Sequence, residues 1–320
     1  MLRIQSAQSC KELRISCRLY ILFRSFLISK ANDLRDLEKR SQMEYFKDKI
    51  ALVTGGASGM GRAVCEQMGR YGATLVVADI NYEGAQGVAE SIVAAGGQAR
   101  AANLDVTQQG DVQDLIHETA REHGRLDLIF NNAGIGILGD ERDKTLDHWN
   151  KVIDVNLHGV LYGTTAAYPL MVEQGFGQII NMASMAGFIP SPMDIAYGTT
   201  KRAIIGLSLS LRDEAAALGV KVSAVCPGFI KTPIIYNTPI LNVDLSREEI
   251  DENLPHFLYM DENKAGRAIL KGIVRNRAMI VFPFHARLAW WLVRLCPPLF
   301  DRISRLQIKG FRKYRNRRTP

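Results

Sequence analysis

The chain is poor in the residues and patterns that mark secreted and metal-binding proteins. Its five cysteines are an odd number and include no Cys-x-x-Cys pair, which argues against a disulfide framework or a zinc site and favours a reducing compartment. Its six histidines contain no His-x-x-x-His pair, so no metal site is predicted. No apolar run reaches the roughly 20 residues that a membrane-spanning helix needs. We therefore expect a cytoplasmic protein, with association at a membrane surface left open.

A broad basic surface is also missing, although the net charge is +7. The excess lies mainly near the C terminus, in eight basic residues: Arg302, Arg305, Lys309, Arg312, Lys313, Arg315, Arg317 and Arg318. The middle of the chain carries mixed charge, which excludes a nucleic-acid-binding module. With 320 residues, 47% of them hydrophobic, the chain suits one large globular domain or two small ones.

Three regions of the chain differ in composition. Residues 1–43 carry scattered arginines and a short apolar run at 19–28 that Arg24 interrupts, which fits neither a secretory signal nor a membrane span. This extension is an interfacial amphipathic helix, a presequence or the product of an upstream start codon, because Met43 opens a plausible domain start. Residues 44–283 form the predicted folded domain, and 284–320 form a C-terminal amphipathic helix with a basic tail.

Short apolar segments alternate with helical patterns from residue 50 onward. The predicted strands cover 50–54, 74–79, 99–105, 126–132, 177–184, 221–228 and 278–283. Helical periodicity lies between them, as in 61–72 and 111–124. Because strands that alternate with helices form βαβ units, we expect an α/β fold with a doubly wound, seven-stranded parallel sheet.

A glycine-rich loop follows the first predicted strand directly. The segment TGGASGMG (54–61) has the spacing G-x-x-x-G-x-G. Glycine permits a tight turn and a close approach of the backbone to a pyrophosphate, and the following helix offers free N–H groups. The position between a strand and a helix favours a dinucleotide site over an ordinary βα turn. The expected contacts are Gly55, Ser58, Gly59, Met60 and Gly61.

An acidic residue ends the second predicted strand and bears on cofactor choice. Asp79 can accept hydrogen bonds from both hydroxyls of an adenosine ribose, and its charge would repel a 2′-phosphate. We therefore predict NAD rather than NADP. Arg62 lies beside the loop and could contact a phosphate, but its place at a helix start favours a solvated side chain.

A tyrosine and a lysine four residues apart stand in the segment IAYGTTKRAI (195–204). In a helix Tyr197 and Lys201 would share one face, and a nearby cation lowers the pKa of a phenol from about 10. Such a tyrosine could exchange protons near neutral pH. Taken alone, the pair is weak evidence, and a solvated surface pair is the favoured interpretation.

Together these segments resemble the short-chain dehydrogenase/reductase family of the classical type. The matching motifs, in order, are TGGASGMG (54–61), LDV (104–106), NNAG (131–134), DVNLHG (154–159), Ser184, YGTTK (197–201) and PGFIKT (227–232). The resemblance covers about residues 46–283. It implies a Rossmann fold and an NAD-dependent oxidoreductase that interconverts an alcohol and a carbonyl compound.

The resemblance also implies a role for each matching position. Tyr197 would be the general acid/base, and Lys201 would lower its pKa and bind the nicotinamide ribose. Ser184 would donate a hydrogen bond to the substrate oxygen, and Asn156 would hold a water of the proton relay. Asn131 would either shape the cofactor floor or satisfy neighbouring backbone, or do both. Cofactor contacts are further implied for Asp105, Val106, Asn132, Pro227, Gly228 and Thr232, besides Tyr197 and Lys201.

The segment after Thr232 is predicted to form a substrate lid over about residues 233–262. A capping-box pattern at 246–249 predicts a short helix near Ser246, and 138–143 is expected to form the opposite rim. The apolar residues available to line a pocket are Ile234, Ile235, Tyr236, Ile240, Leu241, Phe257 and Leu258. They predict a lipophilic retinoid, steroid or fatty alcohol or its carbonyl form, unless they only pack the lid onto the core.

The last apolar run, at 286–300, contains two tryptophans and precedes the basic tail. It favours an interfacial helix on an anionic membrane over a helix packed on the domain or on a subunit partner. Family members commonly form dimers or tetramers, so a homo-oligomer is expected by analogy. A non-catalytic NAD-binding regulator and a membrane-peripheral scaffold remain the alternatives to an enzyme.

Overall fold

The computed structural model describes residues 37–243, 249 and 258–315. The chain divides into two compact units, Met1–Tyr45 and Phe46–Pro320. Within the first unit, the described residues 37–45 are helical. The helix predicted near Ser246 and the predicted wall residue Phe257 lie outside the described residues.

The second unit is built on a seven-stranded sheet in which every neighbouring pair is parallel. Its strands are β1 (Ile50–Thr54), β2 (Thr74–Asp79), β3 (Gln98–Asn103), β4 (Leu128–Asn131), β5 (Gly177–Met182), β6 (Val220–Pro227) and β9 (Met279–Phe282). Their order across the sheet is β3-β2-β1-β4-β5-β6-β9. Two short strands, β7 (Ile230–Lys231) and β8 (Met260–Asp261), form a separate parallel pair. The predicted doubly wound sheet is confirmed.

Helices connect the strands. They are α1 (Gly59–Arg70), α2 (Tyr82–Ala94), α3 (Gln109–His123), α4 (Leu146–Ile153), α5 (Gly159–Gln174), α6 (Ile195–Ala215), α7 (Pro233–Asn237), α8 (Glu262–Val274), α9 (Phe284–Leu295) and α10 (Pro297–Phe311). A π-helical turn, Asp154–His158, joins α4 to α5.

The central strands are buried because helices cover both faces of the sheet, whereas the edge strand β3 is mostly exposed or half-buried. All five residues of β1 and all four of β4 are buried, as expected for central parallel strands with continuous apolar runs. The chain passes from β1 to β2 on one side and returns to β4 on the other side of β1. Such a reversal leaves a crevice beyond the carboxyl ends of the two strands, where ligands bind in open α/β sheets.

The C-terminal region contains two helices where the sequence predicted one. Helices α9 and α10 are separated at Cys296, whose backbone has φ −141° and ψ 67°. A residue before proline is disfavoured in the α region, so Pro297 ends one helix and occupies the first turn of the next. Among the described residues, no helix has both the length and the apolar character needed to cross a bilayer.

Candidate active site

The loop after β1 depends on glycine. Gly55 has φ +65°, a conformation that other residues rarely adopt. At Gly61, an added Cβ would lie 2.1 Å from the carbonyl oxygen of Gly55. These two positions let the loop fold back on the first turn of α1, so the backbone at that end of the helix stays open to a ligand.

Hydrogen bonds from Asn132 connect this loop to the end of β4. Its Nδ2 donates to the carbonyl oxygens of Thr54, at 3.0 Å, and of Gly55, at 2.9 Å. Its backbone N–H donates to Thr54 Oγ1 at 3.0 Å. The neighbouring Asn131 is buried and donates to Asn181 Oδ1 at 2.9 Å. These contacts of Asn131 are to side chains rather than to neighbouring backbone, and Asn131 does not line the cofactor cleft, so neither expected role describes them.

A cleft of about 430 Å³ runs from this loop to α6. Most of the predicted cofactor residues line it: Gly55, Ser58, Gly59, Met60, Asp79, Asp105, Val106, Asn132, Tyr197, Lys201, Pro227 and Thr232. Gly61 and Gly228 do not line it. An added Cβ at Gly228 would lie 2.6 Å from His285 Nε2, so this glycine makes room for a histidine of α9.

The carboxylate of Asp79 is held at one end of the cleft. It accepts hydrogen bonds from the backbone N–H groups of Ala57, at 3.0 Å, and Asn81, at 2.9 Å. Arg62 beside the loop is exposed, as expected for a solvated side chain, and its guanidinium forms an ion pair with Glu262.

At the other end of the cleft, α6 presents Tyr197 and Lys201 one turn apart. Lys201 is 1% exposed, and its Nζ donates to the carbonyl oxygen of Met182 at 2.8 Å. This Nζ lies 5.4 Å from the centroid of the Tyr197 ring. The side chain of Ser184 is hydrogen-bonded to Tyr197. A hydroxyl, a phenol and an amine thus meet at one place.

Asn156 reaches the same place from the π-helical turn, a feature that is frequent at functional sites. Its Oδ1 accepts from the backbone N–H of Ile135 at 2.8 Å, and its Nδ2 donates to the Ile135 carbonyl at 2.9 Å. An added Cβ at Gly134 would lie 3.2 Å from Asn156 Oδ1 and 3.4 Å from Lys201 Nζ. Asn156 therefore holds the backbone segment that faces Lys201.

Comparison with known proteins agrees with this geometry. The sequence model described as short chain dehydrogenase matches residues 49–239. The chain belongs to the short-chain dehydrogenase family. It is therefore an oxidoreductase that acts on hydroxyl groups, as its relatives named dehydrogenases do.

The similarity extends over most of the relatives' length. Cyclohexanol dehydrogenase of an Acinetobacter strain is 37% identical over 191 residues, 59% of this chain and 76% of the relative. A short-chain dehydrogenase/reductase of Burkholderia phymatum, solved with NAD, is 26% identical with a TM-score of 0.66 and covers 86% of this chain and 98% of its own. A chain of Beutenbergia cavernae, solved with NADP, is 28% identical with a TM-score of 0.65, covering 74% and 94%.

The pKa of Tyr197 differs from the sequence expectation for this dehydrogenase. Burial raises the pKa to about 12, which the hydrogen bond from Ser184 opposes and the charge of Asp194 reinforces. Burial also lowers the pKa of Lys201 to about 8. The prediction that Lys201 lowers the tyrosine pKa below 10 is wrong for the protein alone. Desolvation of the phenolate is the largest cause of the raised tyrosine pKa, and Lys201 is itself buried.

Sequence reasoning missed Asp194, which precedes the first residue of α6. Burial raises its pKa to about 7, against the attraction of Lys144 and hydrogen bonds from the backbone of Ile137 and Tyr197. Its Oδ1 is buried and has no hydrogen-bond partner among the described residues. The signal was an acidic residue three positions before Tyr197 in an otherwise apolar stretch.

A second cleft of about 320 Å³ adjoins the first in this short-chain dehydrogenase, and both are lined by Ser58, Gly134, Ile135, Lys151, Pro233 and Ile234. Gly136, Ile137, Asn237, Thr238 and Pro239 complete the lining of the second. Its lining combines apolar residues with the polar side chains of Ser58, Lys151, Asn237 and Thr238.

The predicted pocket wall needs correction. Of the residues expected there, Ile234 lines the second cleft, whereas Ile235, Tyr236, Ile240, Leu241 and Leu258 do not. Leu241 instead packs, as Tyr197 does, against a buried cluster that contains Ile137. The expected rim 138–143 lines neither cleft. It braces the lid, because the backbone N–H of Leu138 donates to the Pro239 carbonyl at 2.9 Å.

Proposed function

We propose that this dehydrogenase uses NAD to interconvert a lipophilic alcohol and its carbonyl form, with Tyr197 as general acid/base. The observation that carries the proposal is the meeting of Ser184, Tyr197 and Lys201 at one end of a cleft whose other end holds Asp79. Proton exchange and nucleotide binding would thus take place in a single groove.

The residues present fit a nicotinamide dinucleotide. An added Cβ at Gly59 would lie 3.3 Å from Thr232, and one at Gly61 would overlap the loop carbonyl. The free N–H groups at the start of α1 would hold the phosphates, and Asp79 would accept the ribose hydroxyls. When bound, the nicotinamide supplies or accepts the hydride.

The side chains of the site would handle the proton. Ser184 and Tyr197 would both hydrogen-bond the substrate oxygen. Tyr197 would take the hydroxyl proton during oxidation and return it during reduction. The phenol is protonated at neutral pH, as a tyrosine with an unshifted pKa also would be, so it carries the proton that reduction of a carbonyl requires. Lys201 would pass the proton toward solvent, and Asn156 would support this relay by holding the backbone segment beside the amine.

The preference for NAD follows from charge at the ribose end of the cleft. Asp79 keeps its place through two backbone hydrogen bonds, and Arg62 is engaged by Glu262. A 2′-phosphate would therefore meet an anion without a free arginine beside it. We expect wild type to bind NAD at least about tenfold more tightly than NADP, and Asp79→Ala to narrow that gap. Fluorescence titration of both cofactors measures this, and a wild type that prefers NADP overturns it.

The lining of the second cleft supports the proposed substrate class. Ile135, Ile137 and Ile234 give it an apolar wall beside the catalytic group. A ring or chain alcohol without charge fits this wall, and the similarity to cyclohexanol dehydrogenase supports such a substrate. The polar side chains of Asn237 and Thr238 could take a second oxygen atom.

A substrate screen tests the proposed function. The purified protein is given saturating NAD or NADH with cyclic, fatty, steroid and retinoid alcohols or their carbonyl forms, and NADH absorbance is followed. Tyr197→Phe is the matched blank, because it removes the proton-exchanging oxygen alone. We expect turnover in wild type and a loss of at least about a hundredfold in the variant, with NAD binding retained. Tight NAD binding without turnover of any compound would instead favour a regulatory role.

A further inference from the structure

Helix α9 carries an apolar face that points to solvent. Phe284, Leu288, Trp291 and Leu295 are 77%, 46%, 57% and 76% exposed. Their spacing of four, three and four residues places them along one side of the helix. The opposite side is covered, because Ala286 is fully buried in the core cluster. The helix is therefore fixed to the domain by one face and offers a second apolar face outward.

Helix α10 repeats this arrangement. Leu299, Ile303 and Leu306 are 42%, 40% and 64% exposed, and they follow one another at intervals of four and three residues. A surface helix of a globular protein normally turns charged residues outward. Two consecutive helices with outward apolar stripes therefore indicate a contact surface.

Positive charge accompanies these stripes. Residues 284–315 contain a single acidic residue, Asp301, and eight basic ones: Arg287, Arg294, Arg302, Arg305, Lys309, Arg312, Lys313 and Arg315. On α10, Arg302, Arg305 and Lys309 are exposed and lie about 100° from the apolar stripe. No ion pair joins these three to another described residue. Their charge is available to an anionic partner.

The end of α10 is tied to the domain. Arg312 Nε lies 2.6 Å from Asp140 Oδ2, and Arg315 forms two hydrogen bonds to Asp143 at 2.5 and 2.6 Å. The two acidic side chains are 1% and 3% exposed. They belong to the segment 138–143, which follows Ile137 of the second cleft. The docking helices are thus connected to the neighbourhood of the substrate cleft.

We propose that α9 and α10 dock the enzyme on the surface of an anionic lipid bilayer. The apolar stripes would enter the interface, and the flanking cations would meet acidic headgroups. Charge decides between a bilayer and a second copy of the chain. Arg312 and Arg315 are paired with Asp140 and Asp143. Two copies meeting through this face would still bring together two segments that each hold six further basic residues and one acidic residue.

Vesicle flotation of the full chain tests the proposal. The vesicles are made of phosphatidylcholine alone or mixed with phosphatidylglycerol. We expect wild type to float with the anionic vesicles, less so in high salt. The double variant Trp291→Ser/Leu295→Ser should bind at least about tenfold more weakly. Leu218→Ser, at a residue 44% exposed elsewhere on the domain, is the matched control and should float like wild type.

A variant that removes positive charge tests the contribution of the cations to vesicle binding. Arg302→Gln/Arg305→Gln/Lys309→Gln keeps the apolar stripes and should lose the preference for anionic vesicles. Folding is checked by thermal unfolding, which exposed positions should leave nearly unchanged. Equal flotation of wild type and both variants, or no flotation at all, overturns the proposal. So does light scattering that shows a wild-type dimer and a monomeric Trp291→Ser/Leu295→Ser variant, because the face would then join two subunits.

Discussion

Asp194 is a single carboxylate held out of water beside Tyr197, and its titration couples stability to pH. Its pKa in the folded protein is about 7, against about 3.9 for an unfolded aspartate. Between these values the folded state binds the proton more tightly. Its contribution to stability therefore falls as pH rises from about 4 to about 7. The folded protein would therefore be more stable at neutral and higher pH if the side chain at position 194 were uncharged.

We predict that Asp194→Asn stabilises the protein at high pH. The amide keeps an oxygen for the backbone hydrogen bonds but carries no charge. At about pH 8 the gain should be on the order of 2–4 kcal/mol, and it should shrink as pH approaches 4, where the aspartate is protonated in both states. Urea unfolding of both proteins at several pH values measures it. A gain that is the same at every pH would show that the carboxylate is not held out of water.

The positions of the proposed catalytic residues could be predicted from the sequence, but their pKa values could not. The motif spacing placed Ser184, Tyr197 and Lys201 on elements that the structure brings together. The sign of the tyrosine pKa shift was not predictable, because it depends on how far packing excludes water from the phenol. Asp194 was missed for the same reason, since an acidic residue reveals its burial only through its neighbours.

At the scale of elements, two glycine substitutions test the loop from β1 to α1. One lies in the loop and should affect cofactor binding, and the other lies in a helix and should affect only stability. Gly61→Ala would place Cβ 2.1 Å from a backbone oxygen, so the loop must open. We expect NAD affinity to fall by at least about tenfold, measured by titration. Gly87→Ala is the matched control, because its Cβ would meet nothing within 4 Å. It should leave affinity unchanged and stabilise α2 by about 0.5–1 kcal/mol. Equal affinities of the two variants would contradict the prediction.

Strands were more predictable than the elements that close the cleft. Six of the seven strands of the sheet are short and mostly buried, so each appears as an apolar run with a boundary error of a few residues, whereas the edge strand β3 is mostly exposed or half-buried. The lid was misjudged because its apolar residues, such as Leu241, pack inward on the core. The sequence contained a signal for the division between α9 and α10, namely the two prolines that follow Cys296. It was missed because the apolar run continues across it.

At the scale of the whole molecule, contacts far apart in sequence hold the C-terminal helices. A hydrogen bond from Arg142 and the pairing with Arg312 hold the pKa of Asp140 well below its usual range. Arg315 lowers the pKa of Asp143 in the same way. Pairing of this kind stabilises the docked tail above the usual aspartate pKa and is lost as pH falls below it. Sequence reasoning could not find these pairs, since about 170 residues separate the partners.

Asp143→Asn should therefore loosen the tail without unfolding the domain. The amide can replace at most part of the two charged hydrogen bonds from Arg315, so α10 should open more often. Hydrogen–deuterium exchange at neutral pH should become faster in residues 297–315, while β1, β4 and β5 stay protected. Asp301→Asn, on the exposed side of α10, is the control and should exchange like wild type. If both variants protect the tail as wild type does, its attachment rests on apolar packing, and the ion pairs only accompany it.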